Sequence, residues 1–327
     1  MPSSTYECHT YSGFEPLQVF DVVYGGHFEH RFTTSKRADL VHRRLVLDDV
    51  RVESGSYSFA VIGQGAMPAD SVCIGLVDEG TEVTRCNIEP IEEDEAQVYS
   101  PGAELMYHST GPSRWINFAL PEAKLQTVAR LRLGRPLELS RRGFVSYRLL
   151  REQRIHLQCL AYDALALADS LQPSGIASQL ASEMSNALVA AYVDALGTAH
   201  FATGSTKKAA AQRHHQLILA CERLVLSAGP AGLDLSDIAR RSGYSQRSLE
   251  LIFRRGVGMS PGRWFSNIRL NGALRELVAP APECTVTEVA TRWGFRHLSR
   301  FAEQYRRTFG ELPSQTLSRA IARATGR

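Results

Sequence analysis

Residues 288–310 read EVATRWGFRHLSRFAEQYRRTFG. A short amphipathic run meets Gly294 and Phe295, and a second run follows whose polar side carries Arg296, His297, Arg300, Arg306 and Arg307. The arrangement occurs twice. DIARRSGY (237–244) lies over EVATRWGF (288–295), with Asp237 on Glu288, Ala239 on Ala290, Gly243 on Gly294 and Tyr244 on Phe295. Downstream, with one residue inserted, LELIFRRGVGMSP (249–261) lies over FAEQYRRTFGELP (301–313). Two copies of one unit therefore follow each other in the chain.

Each copy has the physics of two helices joined by a tight turn. The first helix opens on a side-chain cap, Asp234 before Asp237 and Thr285 before Glu288. Ala239 and Ala290 are small enough to let the two helices cross closely. Gly243 and Gly294 stand where the chain leaves the first helix, a position that favours positive φ. The aromatic after each glycine is expected to turn back into the core. In the second helix, Leu298, Phe301, Ala302 and Tyr305 form an i, i+3, i+4, i+7 stripe that predicts burial, as do Leu249, Ile252 and Phe253 in the first copy. Helix-turn-helix units are thus predicted at about 235–256 and 286–308.

Charge divides the chain along the same line. Residues 1–206 hold 17 Lys/Arg against 25 Asp/Glu, and residues 207–327 hold 20 against 9. The first part would be repelled by a polyanion; the second has the composition of a phosphate-binding surface. No apolar run approaches the roughly 18 residues that a membrane helix needs, and the first residues do not read as a secretion signal, so a cytoplasmic location is expected. Cys8, Cys73, Cys86, Cys159, Cys221 and Cys284 are scattered, with no C-x-x-C pair, so free thiols are expected.

Upstream of the repeat, residues from about 15 to 120 favour strands, with turn signals every 8–12 residues. That spacing predicts an antiparallel sandwich or barrel. From about 121, including the stretch Phe144–Leu196, the composition favours helix. Its stripe of Leu180, Met184, Leu188, Ala191 and Val193 fits either internal packing or a dimer seam. The expected class is α+β: an antiparallel β-rich domain with a helical tail over 1–196, a linker at 197–212, and an all-α double helix-turn-helix domain over 213–327.

LSDIARRSGYSQRSLELIFRRGVGMSP (235–261) and TVTEVATRWGFRHLSRFAEQYRRTFGELP (285–313) together resemble the DNA-binding part of the AraC/XylS transcription regulators. The resemblance covers about 220–320, and PGRWFSNIRLNGALREL (261–277) is similar to the helix that connects their two units. The sequence departs from the family at the end of the second unit, where Leu312 replaces a serine and no aromatic follows Pro313. The resemblance implies an activator that binds double-stranded DNA and contacts RNA polymerase. It further implies that the first domain, a cupin-like barrel, senses a small-molecule effector and helps form a homodimer. No catalytic residue, metal or other cofactor is expected.

Two recognition helices on one chain would enter major-groove segments roughly 10 bp apart. Their first turns reach base edges, which nominates Gln246, Arg247 and Glu250 in the first copy and Arg296, His297, Ser299, Arg300 and Glu303 in the second. Arg254, Arg255, Arg306 and Arg307 are placed to clamp phosphates, and Leu251 faces either a thymine methyl or the core. In the first half, Tyr107, His108, Arg114 and Trp115 either line a pocket or fill the core. His27, His30 and His42 invite a metal reading, but positions three apart fall on opposite faces of a strand. Two other classes stay open at this point: a cupin-type metal enzyme with a DNA-binding adaptor, and a non-specific architectural DNA protein.

Overall fold

The computed structural model describes residues 4–12, 23–33, 39–172, 174–201, 205–229 and 234–324. Its strands are β1 (Thr5–Ser12), β2 (His27–Phe32), β3 (Asp39–Leu47), β4 (Val50–Tyr57), β5 (Val61–Ala66), β6 (Val72–Glu79) and β7 (Thr84–Cys86). They continue as β8 (Glu89–Pro90), β9 (Glu95–Tyr99), β10 (Glu104–Ser109), β11 (Ser113–Leu120), β12 (Phe144–Arg148) and β13 (His200–Phe201). Eight of them form one antiparallel sheet in the order β1-β3-β4-β11-β6-β9-β12-β13, and five form a second in the order β2-β5-β10-β7-β8. The expected cupin-like barrel is corrected here: among the described residues the strands make two facing sheets and no closed barrel.

Period-two alternation assigns each face of the large sheet. Val52, Ile74, Leu76, Val98, Ile116 and Phe118 point outward into a core built with α1 (Glu122–Leu133), α2 (Arg151–Leu171) and α3 (Ser178–Thr198). Tyr192 of α3 stacks on Phe118 with ring centroids 4.0 Å apart. Leu188 and Val193 are buried in this core, and Met184 and Ala191 pack against it, so the α3 stripe serves internal packing. The alternate residues, among them Tyr57, Gln97, Tyr99, Trp115 and Asn117, face the second sheet across a cavity.

Helices were expected over Phe144–Leu196 with one break at 172–175, and α2 and α3 do part there, but Phe144–Arg148 is a strand, paired antiparallel with β9 from Phe144–Tyr99 to Arg148–Glu95. Its sequence, FVSYR, is aromatic and β-branched, and an unpaired side of β9 provides the ladder. The segment 197–212 holds the end of α3, β13 and the first turns of α4 (Ser205–Ser227); residues 202–204 lie outside the described ones.

The remaining helices are α5 (Leu235–Ser242), α6 (Gln246–Val257), α7 (Pro261–Val278), α8 (Val286–Arg292), α9 (Leu298–Phe309) and α10 (Pro313–Ala324). Helix α7 is the axle of this region. Trp264, Phe265, Ile268, Leu270, Leu274 and Leu277 bury it on nearly every side, as expected of a helix without a wet face. Helix α10 packs on α7, and Tyr305 Oη donates to Thr316 Oγ1 at 3.0 Å, which closes the end of the second unit where the sequence departs from the family pattern.

The second sheet lies between the cavity and the helical region. Ile62, Ile88 and Met106 on its outer face share a core with Ile218, Phe253 and Trp264. Strand β2 docks directly on α7: Asn271 Oδ1 accepts from Phe32 N at 2.7 Å. The Phe32 carbonyl in turn accepts from Asn267 Nδ2 at 2.7 Å and Asn271 Nδ2 at 2.9 Å. Asparagine is a weak helix former, so two of them four residues apart in a buried helix need such a partner.

Candidate nucleic-acid interface

Local chemistry explains why each unit folds as two helices. The Asp234 carboxylate accepts from Asp237 N at 2.8 Å, a bond that holds it below the usual carboxylate range. At the matching position Thr285 Oγ1 accepts from Glu288 N at 3.2 Å while the Glu288 carboxylate accepts from Thr285 N at 3.1 Å, a reciprocal capping box. Gly243 and Gly294 adopt φ of 73° and 79°, the left-handed conformation that lets the chain turn sharply without a Cβ clash.

Helix α6 opens on Ser245, whose hydroxyl accepts from Ser248 N at 3.1 Å. Helix α9 has His297 at its N-cap with no side-chain cap bond, so the repeat is not perfect at this position. Leu249, Ile252 and Phe253 of α6 and Phe301, Tyr305 and Phe309 of α9 are buried, as the periodicity requires. Two apolar assignments are corrected. Leu298 is 44% exposed because it sits in the first turn, ahead of the packed part of the stripe. Tyr244 is 39% exposed, whereas its counterpart Phe295 packs on Phe301 with centroids 4.7 Å apart.

The nominated polar faces lie outside. Gln246, Arg247, Arg254 and Arg255 on α6 are exposed, and Glu250 is half-buried. Arg296 and His297 precede α9, and Ser299, Arg300, Glu303, Arg306 and Arg307 follow on it; all seven are exposed. Glu250 accepts from Arg254 Nε at 2.7 Å, an exposed i,i+4 pair that contributes little to stability and is easily exchanged for another partner. Leu251 is 48% exposed on the same side as these groups rather than in the core. A cleft between the units is lined by Asp234, Leu235, Arg269, Arg296, His297 and Arg300, so α5, α7 and the start of α9 converge there.

Sequence reading did not single out the residues that hold the units in place. Trp293 lies so close over Gly272 of α7 that a Cβ there would stand 2.2 Å from its ring. Gly256 of α6 approaches Ile88 of the second sheet, with 3.2 Å between a built Cβ and Ile88 Cδ1. A buried polar chain joins the regions as well: Trp264 Nε1 donates to Glu222 at 2.6 Å, and Glu222 pairs with Arg31 at 3.2 Å. Arg31 pairs in turn with Glu29 at 2.8 Å, and Glu29 with Arg275 at 2.5 Å. The one available signal was an acid, Glu222, in an otherwise apolar helical stripe.

In the first half, Tyr107 and Trp115 line the cavity, while His108 faces away and meets the Trp264 ring edge-on at 5.9 Å. Arg114 pairs outside the cavity with Asp78 at 2.5 Å and Glu79 at 2.7 Å. His27 is exposed, His30 bonds Tyr57 Oη at 2.9 Å, and His42 lies 3.6 Å from Glu53. Among the described residues no three or more His, Cys, Asp or Glu side chains are grouped to hold a metal ion, and all six cysteines are free. No described helix is long and apolar enough to cross a membrane.

Residues 238–319 match the family described as "Helix-turn-helix domain". The "Probable thc operon regulatory protein" of Rhodococcus erythropolis is 42% identical over 86 residues, 26% of this chain and 26% of that protein. The "Transcriptional activator NphR" of a Rhodococcus species is 26% identical over 317 residues, 91% of this chain and 81% of that protein. A solved structure, "a probable AraC family transcriptional regulator" from Rhodopseudomonas palustris CGA009, is 32% identical and covers 32% of this chain and 97% of that one, with a TM-score of 0.30. The matches at 42% identity span between 26% and 55% of the relatives' own length.

Proposed function

We propose that this chain is a regulator of the AraC/XylS family, a sequence-specific DNA-binding transcription regulator responsive to a small molecule. One observation carries the reading: two capped helix-turn-helix units turn arginine-bearing faces to solvent and are joined by a single buried helix. A buried connector restricts the relative motion of the two units, so both can engage one duplex as a pre-organised pair.

In this reading Gln246, Arg247, Glu250, Arg296, His297, Ser299, Arg300 and Glu303 reach base edges, and Arg254, Arg255, Arg306 and Arg307 hold phosphates. Residues 1–196 form the sensing and self-association domain and residues 213–327 the DNA-binding domain. The effector enters the cavity between the sheets, and the Arg31–Glu222 and Phe32–Asn271 contacts carry its effect to α7. Contact with RNA polymerase, homodimer formation through the first domain and a cytoplasmic location complete the proposal. It is supported by the name of the relative that aligns with most of the chain, a transcriptional activator.

Footprinting on promoters adjacent to the chain's own gene, repeated across a salt series, tests the reading. A regulator protects a discrete site and prefers it by roughly 10³-fold or more over unrelated duplex. Equal binding to all sequences with a steep salt slope would identify an architectural protein instead.

A further inference from the structure

The cavity between the sheets is lined by aromatic rings, aliphatic side chains such as Met67, Val77 and Leu105, and two glycines. Phe28, Tyr57, Tyr99, Tyr107 and Trp115 supply the rings, and Gly63 and Gly75 leave room between them. The space is a small slot between the two sheets, about 70 Å³ in volume.

No charged side chain lines it among the described residues. Burial pushes the His30 imidazole down to about 4, so it is neutral at physiological pH. Behind Asn117, the Glu53 carboxylate is already paired with Arg44 at 2.7 Å, which leaves no cation there for a ligand carboxylate. An ionised ligand entering this slot would lose its hydration without a compensating charge.

Two side chains interrupt the apolar lining. Gln97 is 2% exposed and Asn117 4% exposed, and both face the slot. Gln97 Nε2 and both amide atoms of Asn117 have no hydrogen-bond partner among the described residues. The Asn117 amide lies beside Glu53 and Cys73 and holds both down against the effect of burial, without a hydrogen bond of ordinary geometry to either. Orphaned amide groups this deeply buried are rare in folded proteins and call for a partner. Two donors and an acceptor set among aromatic faces are complementary to a flat molecule that carries one or two neutral polar groups.

We propose that the slot binds an uncharged, flat, ring-bearing molecule whose neutral polar group hydrogen-bonds Gln97 and Asn117. This deepens the effector reading above and rests on it for the consequence of binding, though not for binding itself.

Gly63 supplies a clean obstruction. A Cβ built there meets only ordinary contacts, His30 Nε2 and Tyr107 Cβ at 3.9 Å, so a larger side chain would project into the slot without disturbing the backbone.

Calorimetric titration of the full-length protein at neutral pH with benzamide, benzoate and cyclohexanecarboxamide separates charge from flatness. Benzamide is expected to bind one molecule per chain, with benzoate roughly a hundredfold weaker and cyclohexanecarboxamide at least roughly tenfold weaker. Gln97→Leu is expected to weaken benzamide roughly tenfold, and Gly63→Leu to abolish binding. If Gly63→Leu fails to melt cooperatively, Gly63→Ala replaces it, with a smaller loss expected. Benzoate binding as tightly as benzamide, no measurable benzamide binding, or unchanged binding in the Gln97 and Gly63 variants would each overturn the proposal. Footprinting of the same preparations without ligand reports on the DNA-binding reading separately. Benzamide binding without DNA protection would sink that reading and leave this one, and the reverse outcome would do the opposite.

Discussion

The two helix-turn-helix units share one sequence pattern but are held differently. In the first, Gly256 of α6 rests on Ile88 in the turn between β7 and β8 of the second sheet, and the unit's core is continuous with Ile62 and Met106. In the second, Trp293 seats on Gly272 of α7, and the unit's core is continuous with Leu270 and Leu274 of α7 and with Phe32, Phe59 and Val61. Helix α7 itself is tied to the sheet by the Phe32–Asn271 bonds and by the Trp264–Glu222–Arg31 chain. Both units thus share a core with the strands, and the first adds the close Gly256–Ile88 contact while the second adds the Trp293–Gly272 seat on the connector. Repetition fixes what each unit looks like, and docking fixes what each unit can feel.

The sharpest way to break this asymmetry is to cut the chain that both units share. Glu222→Leu would leave the buried Arg31 guanidinium with only Glu29 and strip Trp264 Nε1 of its acceptor. The expected loss is about 3 kcal/mol, at the low end for a broken buried pair because Glu29 remains. Urea denaturation measures it, and an unchanged midpoint would show that the chain does not hold the regions together.

A pair of glycine substitutions comes next. Gly272→Ala drives a Cβ to within 2.2 Å of the Trp293 ring and forces that ring to move, at a cost of about 1–3 kcal/mol. Gly256→Ala meets only the terminal methyls of Ile88 and Ile218, at 3.2 and 3.3 Å, and is expected to cost under about 1 kcal/mol. Thermal unfolding of the two variants side by side would show the ranking, and equal effects would erase the distinction.

On DNA, Arg247→Ala is expected to relax base preference at one position in the first half-site by about 1–3 kcal/mol. Arg255→Ala should weaken all sequences alike and reduce the salt slope. Binding selections on randomised duplexes distinguish the two patterns. Uniform weakening by Arg247→Ala would move that residue to the phosphate group.

The smallest expected effect concerns pH. Burial alone would raise the Glu29 carboxyl, but Arg31 and Arg275 outweigh it and hold it below the usual range. A carboxylate lowered in the folded state stabilises fully above its unfolded value, about 4.3, and loses that contribution as pH falls through the lower folded value. The stability difference between the wild type and Glu29→Gln should thus be constant above about pH 5 and shrink in acid. A difference that grows on acidification would contradict the assignment.

Much of the helical region was legible because its determinants are local. Asp234, Thr285, Gly243 and Gly294 act within four residues of themselves, and the buried stripes repeat at the helical period. Where local reasoning failed, a neighbour distant in the chain had decided. FVSYR at 144–148 became a strand because β9 offered a free edge. The choice between sandwich and barrel, which strand spacing left open, fell to two sheets rather than the barrel that the family resemblance implied, a matter of pairing that composition does not encode. Tyr107 and His108 looked alike as pocket candidates, yet strand alternation sends one into the cavity and the other onto Trp264.

By itself, then, the sequence determined a duplicated two-helix unit, its caps and turns, and a cationic half opposite an acidic one. Those follow from spacing along the backbone and from summed charge. Only the tertiary structure decided that Asn271 would grip Phe32 across 239 residues of chain, and that Gln97 and Asn117 would face an uncharged slot. Both depend on which sheet faces meet, and hydrophobic packing settles that between segments carrying no mark of one another.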